Sequence, residues 1–251
     1  MSRNFELMQQ AGLGPSTGHA SEPRDSVLAS GSNGNGDRSG TEPAQAAREE
    51  LLKLVQRVFL VQTPRRSRAV VFADIDSGDG CARLCAEAAK TLAHNATGQV
   101  CLIDANLHSD FLPRVLGATT SYGLADSLHQ PGPIRKFTQK LGPDNLSFIS
   151  LRSSDGSSNF LSADGLKARI EELLNEFEYL LFNAPSVIVD GIAVLLGPLV
   201  DGVILVVEAN STHREVARKA KERLESASVR LLGAVFNNRT FPIPAAIYLR
   251  L

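Results

Sequence analysis

A chain of 251 residues that is 43% hydrophobic and 21% charged suits one α/β domain with a sizeable core plus a tail, and excludes a fibre. Its 26 basic and 27 acidic side chains leave a formal net charge of −1, which gives no electrostatic footprint for nucleic acid or an anionic membrane surface. Three cysteines, Cys81, Cys85 and Cys101, cannot build a disulfide framework, and no apolar leader core follows the N-terminus, so a reducing cytoplasm is the expected compartment.

Residues 1–13 place Phe5, Met8 and Leu13 at near-helical spacing, which fits a short docking helix and a frayed tail equally well, since a helix this short is marginal alone. Residues 14–45 carry too little apolar surface to offset the entropy of ordering and read as a flexible linker. The expected division is therefore a flexible tail and linker over 1–47 and a folded domain over 48–251. From Glu49 the pattern turns helical, with Leu51, Leu52, Val55, Val58 and Phe59 on one stripe, and Pro64 ends it.

Next comes a buried run, Val70 to Ala73, then Asp74, Asp76, Ser77, Gly78, Asp79, Gly80, Cys81 and Ala82. Strand, glycine turn and helix start form the plan of a phosphate-binding loop, in which backbone N–H groups meet phosphate oxygens, a lysine reaches the outer phosphates and a hydroxyl holds Mg²⁺. Set on G-x-G-K-[ST], Gly78, Asp79 and Gly80 keep the turn, while Cys81 stands at the lysine position and Ala82 at the hydroxyl position. Arg83 is no substitute, because two helical positions turn it about 200° around the axis.

Apolar β-rich runs near 69–74, 100–104, 146–150, 179–183, 202–208 and 231–236 then alternate with helical patterns, which predicts a mostly parallel, doubly wound sheet with helices on both faces. The long apolar region from Tyr179 to Ala209 is broken by Asn183, Pro185, Asp190, Pro198 and Asp201, so it reads as strands and a helix rather than a bilayer span. Ser211 or Thr212 is expected to cap an amphipathic helix through Val216, Ala217, Ala220 and Leu224, with a solvated basic face. Cys81 and Cys85 lack a second ligand pair and read as small apolar residues rather than zinc ligands. No G-x-S-x-G supports a hydrolase nucleophile at Ser77.

Four segments in order carry a resemblance: Glu49 to Arg57, the glycine turn with Val100-Cys101-Leu102-Ile103-Asp104-Ala105-Asn106-Leu107-His108, Tyr179 to Ser186, and Leu232 to Arg239. Together they resemble the ATPase domain of bacterial tyrosine kinases and their relatives in capsule and exopolysaccharide synthesis, a branch of the P-loop class that includes MinD and ParA. The ending, Phe241 to Pro244 with Tyr248 to Leu251, also resembles exopolysaccharide members. The resemblance implies a P-loop NTPase fold, with Asp104 as the retained acid of the second strand, Asn183 at the Walker B aspartate, Asn106 and His108 at an aspartate and an arginine, and Asn237 and Asn238 as purine-side contacts. It also implies a membrane polysaccharide copolymerase as partner, peripheral placement at the inner membrane through that partner, and self-association through the helix before the loop, while the charge balance predicts no nucleic-acid partner.

With lysine, hydroxyl and Walker B carboxylate replaced, the expectation is a pseudo-ATPase: catalytic residues none, no metal, no required cofactor, and weak Mg²⁺-independent ATP or ADP binding through Gly78, Asp79, Gly80, Cys81, Ala82, Asn237 and Asn238. The competing expectation is an active tyrosine autokinase with a rewired site. Only Tyr122, Tyr179 and Tyr248 are available as acceptors.

Overall fold

The computed structural model describes residues 41–61, 67–119, 122–130, 132–142, 145–152 and 163–238. The expectations for residues 1–13, for the linker as far as residue 40 and for the ending from Phe241 lie outside these.

Helix α1 (Thr41–Val55) runs into a π-helical turn, Gln56–Leu60. It begins at Thr41 rather than near Glu49, because Ala46 and Ala47 favour helix without adding to the apolar stripe that marked the start in the sequence. Strand β1 (Ala69–Asp74) and helix α2 (Gly80–Asn95) follow, then β2 (Val100–Asp104), α3 (Phe111–Leu116), α4 (Leu124–His129), a 3₁₀ turn at Ile134–Phe137, β3 (Gln139–Leu141) and β4 (Leu146–Ser150). The chain continues through α5 (Ala163–Glu176), β5 (Tyr179–Ala184), α6 (Ile192–Leu196), a 3₁₀ turn at Gly197–Leu199, β6 (Gly202–Glu208), α7 (Arg214–Ser226) and β7 (Leu231–Asn237).

The seven strands stand in the order β3-β4-β2-β5-β1-β6-β7. All pair in parallel except β3, which runs antiparallel to β4. The doubly wound α/β sheet is therefore as the sequence predicts, and the three-residue edge strand β3 is the addition. Its pattern is too short to show a period of two.

Alternation along β1 divides the core. Val70 and Phe72 join the apolar cluster under α1 and α2, with Val55, Phe59, Cys85 and Leu92. Ala69, Val71 and Ala73 join the opposite cluster, with Leu166, Ile170, Leu196 and Leu224 from α5, α6 and α7. Burial on both faces is why β1, β2, β4 and β5 read as continuous apolar runs. No helix among the described residues is long and apolar enough to cross a membrane.

Helix α7 corrects one expectation. Its N-cap is His213, with no side-chain cap bond, so neither Ser211 nor Thr212 caps it. The Thr212 hydroxyl instead accepts from the Glu208 N–H at 2.9 Å and donates to the Asp76 carboxylate. Toward the core α7 presents Ala220 and Leu224, fully buried, with Val216 and Ala217 packed alongside.

Candidate functional site

The site lies beyond the C-terminal ends of β1, β2, β5 and β6, where strand order reverses around β1 and open α/β sheets bind ligands. The turn after β1 is stitched down on both sides. Ile75 N–H donates to Val206 C=O at 3.3 Å, and Val187 N–H donates to Asp74 C=O at 2.8 Å. Ser186 Oγ donates to Ile75 C=O at 2.6 Å. Within the turn, Asp76 N–H donates to Asp74 Oδ1 at 3.1 Å.

Gly80 opens α2, and a side chain there would push aside two polar side-chain ends. A Cβ there would stand 2.7 Å from Asn237 Nδ2 and 2.9 Å from Glu208 Oε2. Cys81 and Ala82 follow on the sheet-facing side of α2, only 2% and 5% exposed. Burial, then neighbouring Cys85, Asp74 and Asp104, push the Cys81 thiol well above its usual range. Cys81 is thus an inert core residue, as is Cys85. Among the described residues no group of His, Cys, Asp or Glu is arranged to hold a metal ion.

Asp104, at the end of β2, faces Asn183 of β5 directly across the sheet. Asn183 Nδ2 donates to Asp104 Oδ1 at 2.9 Å, and Asn106 N–H donates to the same oxygen at 3.1 Å. Burial raises the Asp104 carboxyl to about 6 against the pull of those bonds. Burial likewise raises Asp74 to about 7, with Asp76 and Glu208 adding like charge. Among the described residues no ion pair engages Asp74, Asp76, Asp79, Asp104 or Glu208. The Arg83 guanidinium lies over the Phe111 ring, 5.5 Å from its centroid, so it is turned away as its helical position predicts.

At the far side of the turn, Asn237 Nδ2 donates to Glu208 Oε2 at 3.2 Å and Asn238 Nδ2 donates to Glu208 Oε1. The two asparagines do reach the turn, yet both amides are spent on one carboxylate. His108 Nε2 pairs with Asp190 Oδ2 at 2.7 Å, tying the loop after β2 to the loop after β5, while Asn106 Oδ1 accepts from His108 N–H at 3.0 Å. Asp190 Oδ1 accepts from Ile192 N–H at 2.7 Å.

The fold therefore brings the predicted Gly78, Asp79, Gly80, Asp104, Asn106, Asn183, Asn237 and Asn238 to one end of the sheet, and turns Cys81 and Ala82 inward. Sequence reasoning missed Glu208, Thr212 and Asp190. Glu208 ends a strand beside the switch point, and that position was the available signal.

No protein-family model matches the chain. It is 24% identical to the tyrosine-protein kinase YwqD of Bacillus subtilis over 200 residues, 79% of this chain and 84% of that protein. A stretch of 70 residues, 27% of this chain and 30% of the relative, is 33% identical to the tyrosine-protein kinase CpsD of Streptococcus agalactiae. The kinase domain of the Escherichia coli tyrosine kinase ETK has the same fold, with a TM-score of 0.67 at 19% identity over 82% of each chain. MinD of Aquifex aeolicus matches with a TM-score of 0.56 at 22% identity over 68% of this chain and 69% of its own. In sequence and in fold, the chain is similar to bacterial tyrosine-kinase domains, and its fold is shared with the MinD and ParA ATPases.

Proposed function

We propose that the chain is a regulatory pseudo-ATPase of exopolysaccharide or capsule production, a subunit that keeps the kinase fold and has lost phosphoryl transfer. The observation that carries this reading is the charge of the turn: Asp74, Asp76 and Glu208 stand together where a phosphate-binding loop holds a lysine and a metal ion. Phosphoryl transfer depends on positioning and on cations that neutralise developing charge. Losing one such preorganised group typically costs roughly 2.7–4 kcal/mol of transition-state stabilisation. With Cys81 and Ala82 inside the core and Asn183 neutral, several are gone at once. No cofactor is required, and ATP or ADP binds weakly and without Mg²⁺.

The partner in this reading is a membrane polysaccharide copolymerase, which would hold the chain at the cytoplasmic face of the inner membrane. Helix α1 with the π-helical turn after it, on which Lys53 and Arg57 are exposed, is the surface for it or for a second copy.

A second reading, an active tyrosine autokinase, is favoured by the similarity to YwqD along most of the chain. Incubation with ATP and Mg²⁺ separates them. No phosphotyrosine and no phosphate release above the buffer rate are expected of the pseudo-ATPase, while stoichiometric phosphorylation of Tyr122 or Tyr248 would establish the kinase; Tyr179 is buried at the start of β5.

A further inference from the structure

Loss of lysine and metal ligands would by itself leave a neutral, empty cradle, yet this turn is not neutral: Ser77 to Asp79 are exposed, and acids stand at its inner end. Glu208 ends β6, and its carboxylate reaches the start of α2 at Gly80: one oxygen accepts from Asn237 Nδ2 at 3.2 Å, the other from Asn238 Nδ2. Its backbone N–H donates to Thr212 Oγ1 at 2.9 Å, and that hydroxyl donates in turn to Asp76. The resulting bracket joins β6, the loop before α7, the end of β7 and the turn. Its inner edge lies where a Gly80 side chain would begin, 2.9 Å from Glu208 Oε2 and 2.7 Å from Asn237 Nδ2.

We propose that Glu208 is the residue that weakens nucleotide binding at the turn, a carboxylate beside Gly80 that engages both asparagine amides and repels polyphosphate. This deepens the pseudo-ATPase reading and rests on it: the site has not merely lost its cations, it has gained a resident anion. The ligand class disfavoured is the nucleoside di- or triphosphate, and the determinant is charge rather than shape alone. A phosphate group brought within about 6 Å of an unneutralised carboxylate meets repulsion of several kcal/mol even at an effective dielectric of about 20.

The test compares ATP and adenosine titrations, followed by NMR at low ionic strength without Mg²⁺, for the full chain and for Glu208→Gln, Glu208→Ala and Glu225→Gln. Glutamine keeps the size of the bracket and removes its charge; alanine removes both. Glu225 lies at the opposite end of α7, paired with Lys221 at 2.9 Å, so its variant controls for net charge. Thermal melts check that each variant is folded. The expected result is ATP affinity at least tenfold higher for Glu208→Gln, a gain of about 1.4 kcal/mol, with adenosine affinity unchanged and Glu225→Gln like the wild type. Unchanged ATP affinity in both folded Glu208 variants overturns the proposal and leaves the pseudo-ATPase reading intact. Equal gains for ATP and adenosine overturn the charge mechanism. Mg²⁺-dependent turnover by the wild type would instead defeat the underlying reading, whatever the Glu208 variants do.

Discussion

Asn183 explains itself once Asp104 is beside it. An aspartate at 183 would set two buried carboxylates hydrogen-bond distance apart with no metal between them, and like charges that close cannot both ionise without cost. Asparagine removes the charge and supplies a donor, the 2.9 Å bond to Asp104 Oδ1. Asn183→Asp should therefore destabilise the fold by about 2 kcal/mol at pH 8, a drop of roughly 4–8 °C in melting temperature for a chain of this size. The loss should shrink at pH 5, where one proton can sit between the two acids; an unchanged melt at pH 8 would mean the pair is solvated. Asp74 gives the complementary prediction. Its carboxyl titrates at about 7 in the folded protein because burial disfavours the charge, against an ordinary value of 3.8. Between those values the folded state holds a proton that the unfolded state has released, so the contribution to stability is full at low pH and lost as pH rises through 7. Asp74→Asn keeps the oxygen that accepts from Asp76 N–H and cannot ionise. It should melt above wild type at pH 8, with the advantage narrowing steadily as pH falls toward 4.

At the scale of elements, the strands were legible because burial on both faces writes each as an unbroken apolar run, and the helices because α1, α2 and α7 keep one apolar stripe. What stayed hidden depended on contacts between distant segments. Thr212 looked like a helix cap from its neighbours, yet its hydroxyl serves Glu208 and Asp76, the latter 136 positions away. The glycine turn was found because its spacing marks it, and Asp104 and Asn183 because their segments resemble those of a known family; Glu208 was not, since its one signal, a strand end beside the switch point, shows only once the strands are ordered. Helix α1 illustrates the same limit from the other side. Phe59, fully buried, meets the Tyr179 ring edge-on with centroids 5.9 Å apart, fastening the π-helical turn to the start of β5. Phe59→Ala should cost about 3–5 kcal/mol, as truncation of a buried aromatic usually does. A loss below about 1 kcal/mol in denaturant titration would show that α1 is not held by this contact.

For the molecule as a whole, the near-zero net charge conceals an uneven placement, with acids gathered beyond the C-terminal ends of the strands and basic residues on α7 facing solvent, where Arg218 and Lys221 pair with Glu222 and Glu225. If α1 is the association surface, reversing charge at Lys53 and Arg57 should shift the sizing profile toward smaller species; an identical profile, with and without a copolymerase partner, would remove α1 from that role. The central claim is that an intact P-loop fold here no longer handles Mg²⁺ and ATP. Calorimetric titration of the unmodified protein with ATP, with and without Mg²⁺, tests it most directly. The account predicts weak binding that is the same in both conditions, because the glycine turn remains while lysine, hydroxyl and Walker B carboxylate do not. Micromolar binding that requires Mg²⁺ would contradict it and restore the kinase reading.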